Sequence, residues 1–428
     1  MVQKIVIVGA GPAGVLLAHY LLRREDCQIE IYERRSDPTL SDYGSDRSFP
    51  ISLFPRGRLA LQKIEGLDKK VGDRGSFCQG SLMYSGKGKT RLLSRKEPLL
   101  TIDRNNLVTA LLDTLREKYE SDRCTIHFNC QCVGLDTTEN IVRFQDKDEN
   151  RLNVNYDRLI GADGARSSIR QYLQEQGKLN ARQEYVSDAY KSLFFPRIKG
   201  DLELAPDKIH IWRRPGNVTV LLVPQFEKFL SGVIIFPADR NPLEPLKTKE
   251  EILAYFQENF PVFARLMSLD EAEALLQNPV ARVLTVRCDR FHYGDRILIV
   301  GDAAHAVSPS IGQGCNSALE DVLVLDRVIE KSAENWSQIF SEFTTTRLAD
   351  AHAVQELSSY SLPRNKRLMF EFVLQIMGRR FLHKLFPNSF KPFIFDLLAN
   401  PDLSYSEILH SSRNWIAKVK RSQKAKIE

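Results

Sequence analysis

The 428-residue sequence contains no apolar run near the ~18 uninterrupted residues that a membrane-spanning helix needs. Nor does it open on a charged leader with a cleavable apolar segment, because residues 4–8 already read as a strand. The expectation is a soluble, cytoplasmic protein. Cysteine is sparse and scattered. There are seven, none in a C-x-x-C pair, and Cys130 and Cys132 stand too close together for a usual zinc half-site. That pattern predicts reduced structural thiols, with neither a disulfide framework nor a metal centre. An excess of one charge is also lacking. Lys and Arg number 60 against 54 Asp and Glu, the net charge is only +6, and nothing resembles a nucleic-acid-binding module. Internal repeats and low-complexity segments are absent.

What remains is an ordinary globular composition, 43% hydrophobic and 27% charged, in a chain long enough for a large core in two lobes. Residues 4–8 (KIVIV) form a β-branched run of the kind that parallel sheets bury on both faces. The turn GAGPAG at residues 9–14 follows, then an apolar-periodic helix, then a strand over residues 28–32 that ends at Glu33 and Arg34. Residues 58–64 and 104–119 read as helices, the second capped by Asp103. Residues 126–135 and 141–144 read as strands, and 159–160 lead into the turn GADGARSSIR. After about residue 185, strands at 192–198, 208–212, 217–223 and 230–236 predict an antiparallel sheet. Residues 296–300 (RILIV) restore the parallel pattern, and from 322 the chain reads mainly as helix. The expected fold class is α/β: a Rossmann-like domain (residues 1–185 and 281–330) interrupted by a β-rich substrate domain (186–280) and followed by a helical region (331–428).

Gly9, Gly11 and Gly14 leave room for a pyrophosphate against backbone N–H groups at a helix N-terminus, with Pro12 and Ala13 opening that helix. Glu33, nineteen residues past Gly14, can accept from the ribose hydroxyls of an adenosine. The strand-turn-helix context makes a dinucleotide the expected ligand, without choosing between NAD and FAD. Two further turns, Asp163-Gly164 and Gly301-Asp302, also follow apolar strands and precede helices.

Together and in this order, the three turns resemble those of the FAD-dependent aromatic hydroxylases, the single-component flavoprotein monooxygenases. The likeness covers nearly the full chain for the kynurenine 3-monooxygenase-like group and the violacein-pathway hydroxylases similar to it. It runs through DRSFPISLFPRGRLAL (46–61), DRNNL (103–107), HIW (210–212), FHYGDRILIVGDAAHAVSPSIGQG (291–314) and RRFLHKLFPNSF (379–390). The resemblance implies a glutathione-reductase-like FAD domain in which Gly301 and Asp302 meet the ribityl chain. Pro309, Gly312, Gln313, Gly314, Cys315 and Asn316 would lie along the isoalloxazine ring, and the helix from Gly314 would aim its positive end at the flavin N1/C2=O edge. Arg104 would reach the phosphates or the ribityl chain, and Arg47 would lie near the flavin. The strand around Cys132 would pass the adenine, and Asp163 would serve both FAD and the nicotinamide donor. The implied reaction consumes NAD(P)H and O2 through a flavin C4a-hydroperoxide. NAD(P)H would bind transiently, and no side chain would act as catalyst. His305 is expected to be structural.

The departures from that pattern concern the acceptor. Kynurenine hydroxylases clamp the substrate carboxylate with an arginine on the strand matching residues 78–85, which holds none here, and with a tyrosine whose position falls at or near Pro98. Ser310 and Ile311 replace two phenylalanines. A site without that clamp should select a more apolar acceptor than an amino acid. Alternating positions place Thr219, Leu221 and Val223, with Ile235 from the next strand, on one sheet face facing the flavin. Leu53, Pro309, Ser310 and Ile311 would complete the pocket. The alternatives are oxidation of a larger polycyclic or quinolone-type natural product and a non-catalytic FAD-binding module. The W-x-W-x-I-P segment of flavin halogenases is absent, since Trp212, Trp336 and Trp415 are far apart. The basic tail at 413–428, with Trp415, Ile416 and Val419 interleaved, reads as a solvated helix end or a weak contact with an anionic membrane surface.

Overall fold

The strand Gln3–Val8 pairs in parallel with Cys27–Tyr32 on one side and Arg158–Gly161 on the other, which buries Ile5, Val6 and Ile7 completely. Ile297–Ile299 and Cys124–His127 extend this sheet in parallel, and His292–Tyr293 closes one edge in the antiparallel sense. Helices Pro12–Leu21, Arg104–Lys118 and Gly314–Lys331 contribute to the core around it. The order Ile297–Ile299, Arg158–Gly161, Gln3–Val8 sets three strands side by side although they are far apart in sequence. Their carboxyl ends run into Gly301, Asp163 and Gly9, so the three turns of the sequence meet at one edge of one sheet. The computed structural model describes residues 2–40, 50–84, 90–119, 123–332, 335–387 and 389–424.

The second sheet has eight strands, in the order Ala281–Cys288, Ala181–Pro196, Phe229–Pro237, Val218–Pro224, Lys208–Arg214, Ser76–Tyr84, Thr90–Asp103, Pro50–Leu53. It is larger than a sheet confined to residues 186–280. Three of its strands come from the first segment of the chain, joined through the parallel pairing of Lys208–Arg214 with Ser76–Tyr84. One face carries Val218, Val220, Leu222, Ile234 and Phe236 against the helices Lys249–Asn259, Pro261–Ala264 and Leu269–Gln277. The alternate positions point the other way, where Val223, Ile209, Cys78 and Leu99 pack with Phe54, Leu221 and Ile211.

The stretch 126–135 is not one strand. Cys124–His127 belongs to the parallel sheet and Gln131–Asp136 to a separate three-stranded meander, with a turn at Asn129 (φ 57°) between them. A left-handed residue cannot continue an extended strand.

The helices Trp336–Tyr360, Lys366–Leu385, Ile394–Leu398 and Tyr405–Lys424 build a third core. The apolar residues of the basic tail face inward. Trp415, Ile416 and Val419 are 5%, 1% and 0% exposed, and the Trp415 indole N–H donates to the Ser361 carbonyl at 3.0 Å. Their apolar surface is spent inside the protein. Among the described residues no helix is long and apolar enough to cross a membrane, and no group of His, Cys, Asp and Glu is arranged to hold a metal ion. All seven cysteines are free thiols.

Candidate active site

The glycine turn is shaped by contacts that admit no side chain. A Cβ on Gly14 would stand 2.1 Å from the Gly9 carbonyl oxygen, and one on Gly9 (φ 108°) would stand 2.5 Å from the Ala162 carbonyl oxygen. These two residues lock the first turn onto itself and onto the Asp163 turn. Gly11 is different. The nearest atom to a Cβ built there is Arg104 Nη2, at 3.5 Å, so a cation stands over an open stretch of backbone. Gly11 is also the N-cap of Pro12–Leu21 and offers no capping side chain. The first amides of that helix therefore lack the side-chain acceptor that Asp103, Ser167, Thr248 and Ser268 give theirs. Open backbone, free helix-end amides and an arginine above them are what a pyrophosphate requires.

Glu33 closes one side of this cradle, accepting the Ala10 N–H at 2.9 Å and the Arg35 N–H at 3.0 Å. Arg34 is exposed beside it. Asp163 caps the Ser168–Glu175 helix region, its Oδ2 accepting the Ser168 N–H at 2.6 Å. Burial raises the Asp163 carboxyl above the ordinary range. The thiol of Cys132, close enough to feel Asp163, is pushed up to about 12, mainly by burial.

Asp302 begins the short helix Asp302–His305 behind Gly301 (φ 60°, ψ −140°). Its side chain is open to solvent yet surrounded by enough protein that desolvation raises its pKa, partly offset by Arg104 and His305. Those two properties belong to a carboxylate on the wall of a deep cleft. Cys315 feels both Asp302 and Arg104, and burial pushes its thiol up to about 12. Arg104, Asp302, Gly11 and Cys315 therefore share one neighbourhood.

A buried ionic network, which sequence reasoning missed, holds this corner. Asp321 accepts from the Gly301 N–H at 2.8 Å, from His305 Nε2 at 2.6 Å and from Arg347 Nε at 2.8 Å. Arg347 also reaches Glu320 at 2.9 Å, and Glu320 pairs with Arg56, whose guanidinium lies 4.3 Å over the Tyr405 ring. Burial disfavours the Asp321 charge, but His305 and Arg347 outweigh it and hold the carboxyl below its usual range. His305 is thus committed to structure. The only sequence signal for this network was the run of acids that ends the Gly301 loop.

The loop from Pro309 is pinned by Asn316, which is fully buried. Its Oδ1 accepts the Phe54 N–H and its Nδ2 donates to the Ser52 and Gly312 carbonyls, each at 2.8 Å. Tyr405 donates to Gln313 Oε1 at 2.9 Å. The helix Gly314–Lys331 that follows also lacks a side-chain N-cap. Gly312 lies against Phe54, with 3.5 Å between a Cβ built there and the Phe54 ring.

The four sheet positions read as a pocket wall do share a face. Thr219 is paired with Ile235, and Leu221 and Val223 lie in the Phe54 cluster. Thr219, Leu221 and Ile235 are only half-buried. The loop residues divide. Pro309 is exposed, while Ile311 is buried with Val354 and Leu357 of the helical region and the Ser310 hydroxyl donates to the Ser358 carbonyl. Leu53 pairs with Leu100 in the main core. Leu53 and Ile311 thus pack in other clusters than Leu221 and Val223, while Ser310 stays exposed. Arg47 lies outside the described residues.

The family described as FAD binding domain matches residues 2–356. The chain belongs to the FAD-dependent aromatic hydroxylases. Kynurenine 3-monooxygenase of Sus scrofa is 29% identical over 412 residues, covering 95% of this chain and 86% of that protein. The Stenotrophomonas maltophilia enzyme of the same name is 31% identical over 403 residues, covering 91% and 86%. Among solved structures, a variant of 2-methyl-3-hydroxypyridine-5-carboxylic acid oxygenase shares the fold at a TM-score of 0.70 and 21% identity, covering 95% of this chain and 100% of that one. Klebsiella pneumoniae HpxO, solved with FAD and uric acid, does so at 0.66 and 17%, covering 90% and 95%. This hydroxylase is an FAD-dependent monooxygenase, as its three turns led one to expect.

The residues present fit that cofactor. The Gly11 cradle is open and cationic, and Asp302 is accessible on the cleft wall. Within the loop that follows Pro309, the buried amide nitrogen of Gln313 has no hydrogen-bond partner among the described residues.

Proposed function

We propose that this chain inserts one oxygen atom into a small aromatic or heteroaromatic compound, using NAD(P)H and O2. The observation that carries the proposal is the meeting of the Gly9, Asp163 and Gly301 turns at one sheet edge, under Arg104. Gly11 and Arg104 would hold the FAD pyrophosphate, Glu33 the adenosine ribose and Asp302 the ribityl hydroxyls. Bound FAD would carry the two electrons of NAD(P)H to O2 and supply the oxygen-transfer chemistry. The chain's own part is geometric and electrostatic. The uncapped N-terminus of Gly314–Lys331 favours negative charge at the ring edge. Asn316 fixes the loop beside Phe54, and the sheet face with Leu221 and Thr219 walls the acceptor from water. NAD(P)H would visit without a nucleotide-binding fold of its own.

The acceptor is not expected to be kynurenine. The matching strand is Ser76–Tyr84 and has no arginine, and position 98 is proline. Adding aromatic compounds to the FAD-loaded protein and following NAD(P)H consumption tests the reading, with product one oxygen atom heavier as the expected result. Consumption that no aromatic stimulates, with only hydrogen peroxide formed, would oppose it.

A further inference from the structure

A cation stands against the apolar Phe54 cluster. Arg95 lies on the strand Thr90–Asp103 where its pairing with Ser76–Tyr84 breaks register. Cys78 opposes Leu99 and Gly80 opposes Ser94, so residues 95–98 bulge opposite the single Gln79. The bulge brings the Arg95 guanidinium to 5.8 Å from the Phe54 ring centre, beside Cys78. Phe54 in turn touches Gly312 of the flavin loop. Arg95 Nε is buried and has no hydrogen-bond partner among the described residues. Asp396, a carboxylate close enough for Arg95 to feel, is already held by Arg380 through contacts at 2.7, 2.9 and 3.2 Å. Desolvation accordingly disfavours the Arg95 charge.

A half-buried guanidinium whose Nε has no hydrogen-bond partner among the described residues costs free energy, which the Phe54 ring offsets only in part. A planar oxyanion with two acceptor oxygens would supply what is missing. We propose that Arg95 is the specificity residue of the acceptor pocket and that the aromatic substrate carries a carboxylate which it receives. This rests on the hydroxylase reading above and replaces the expectation of a more apolar acceptor. The cation comes from the bulge rather than from the strand where the kynurenine enzymes carry theirs. Its position thus fits an aromatic acid of different shape.

The test uses FAD-loaded protein and paired probes: benzoate and benzamide, salicylate and salicylamide, anthranilate and anthranilamide, quinoline-carboxylate and its amide. Binding is read from perturbation of the flavin absorption spectrum. At least one acid should bind about tenfold or more tightly than its amide, and Arg95→Gln should erase that preference while leaving amide binding and flavin content unchanged. Arg95→Lys should restore it only in part, because an ammonium lacks the planar fork. Wild-type protein that takes no acid of the panel, or takes acid and amide alike, overturns the assignment, as does a preference that survives Arg95→Gln. Failure to take up FAD, visible before any probe is added, would strike the hydroxylase reading instead.

Discussion

Asp321 holds Gly301 in place: its carboxylate accepts the Gly301 N–H at 2.8 Å from twenty residues further along the chain. The same carboxylate takes Arg347 and His305, so the Gly301 turn is fixed by charges that are themselves buried. Asp321→Asn keeps the shape but leaves Arg347 short of a negative partner. Loss of one member of such a buried pair costs roughly 3–5 kcal/mol. Denaturant unfolding should show that loss, and FAD retention should fall with it. Stability within about 0.5 kcal/mol of wild type would contradict the role given to the network.

Two glycines of one turn should respond in opposite ways. Gly14→Ala sets a methyl 2.1 Å from a backbone oxygen and should destabilise the apoprotein by about 3 kcal/mol or prevent folding. Gly11→Ala meets only Arg104, at 3.5 Å, so the apoprotein should melt within about 0.5 kcal/mol of wild type. Its methyl nevertheless stands in the path proposed for the pyrophosphate. FAD titration should show affinity weakened by about tenfold or more. Full FAD affinity in Gly11→Ala would remove Gly11 from the cofactor path.

That contrast shows what was legible in the sequence. Gly9, Gly14 and Glu33 sit within one strand-turn-helix-strand unit, so their spacing alone reported their geometry. Asp103 was readable as a cap for the same local reason, and its side chain accepts the Asn105 N–H at 2.8 Å. Alternation placed Thr219, Leu221 and Val223 on one face because a strand allows nothing else. The Asp321–Arg347 pair, the Arg56–Glu320 pair and the joining of Ser76–Tyr84 to Lys208–Arg214 are set by tertiary packing, which leaves no period in the chain. Arg95 was hidden for a different reason, since a register shift and no regular pattern aims it. The burial of Trp415 and Ile416 was not legible, because packing by a neighbouring helix is invisible in a basic segment.

Acid should destabilise the fold before it reaches the carboxylates. His19 and His210 are fully buried and both are held down to about 4, chiefly by desolvation. Unfolded, each takes a proton near pH 6.5, so the unfolded chain binds more protons between about pH 6.5 and 4. Stability therefore falls as pH falls through that window and is insensitive to these groups above it, by up to roughly 3 kcal/mol per histidine. Urea unfolding at about pH 7.5 and pH 5 checks this, with His19→Gln/His210→Gln giving the shallower slope. Equal slopes in the variant and wild type would refute the assignment.

The tail should matter for stability and not for membranes. Trp415→Ala empties a buried site among Phe372 and Phe393 and should cost about 3–5 kcal/mol. Vesicle co-sedimentation should be weak and unchanged when Lys418, Lys420 and Arg421 are each replaced by Gln. Binding to anionic vesicles that these substitutions abolish would return the tail to the membrane surface.

The most direct measurement of the central claim is anaerobic reduction of the FAD-loaded protein by NAD(P)H, followed as loss of the flavin's visible absorption, with and without an aromatic acid. The expected result is a yellow protein that NAD(P)H bleaches, faster when the right acid is present, and that returns to yellow with a hydroxylated product when O2 is admitted. A protein that stays colourless after incubation with FAD would contradict it, as would bound flavin that NAD(P)H cannot reduce.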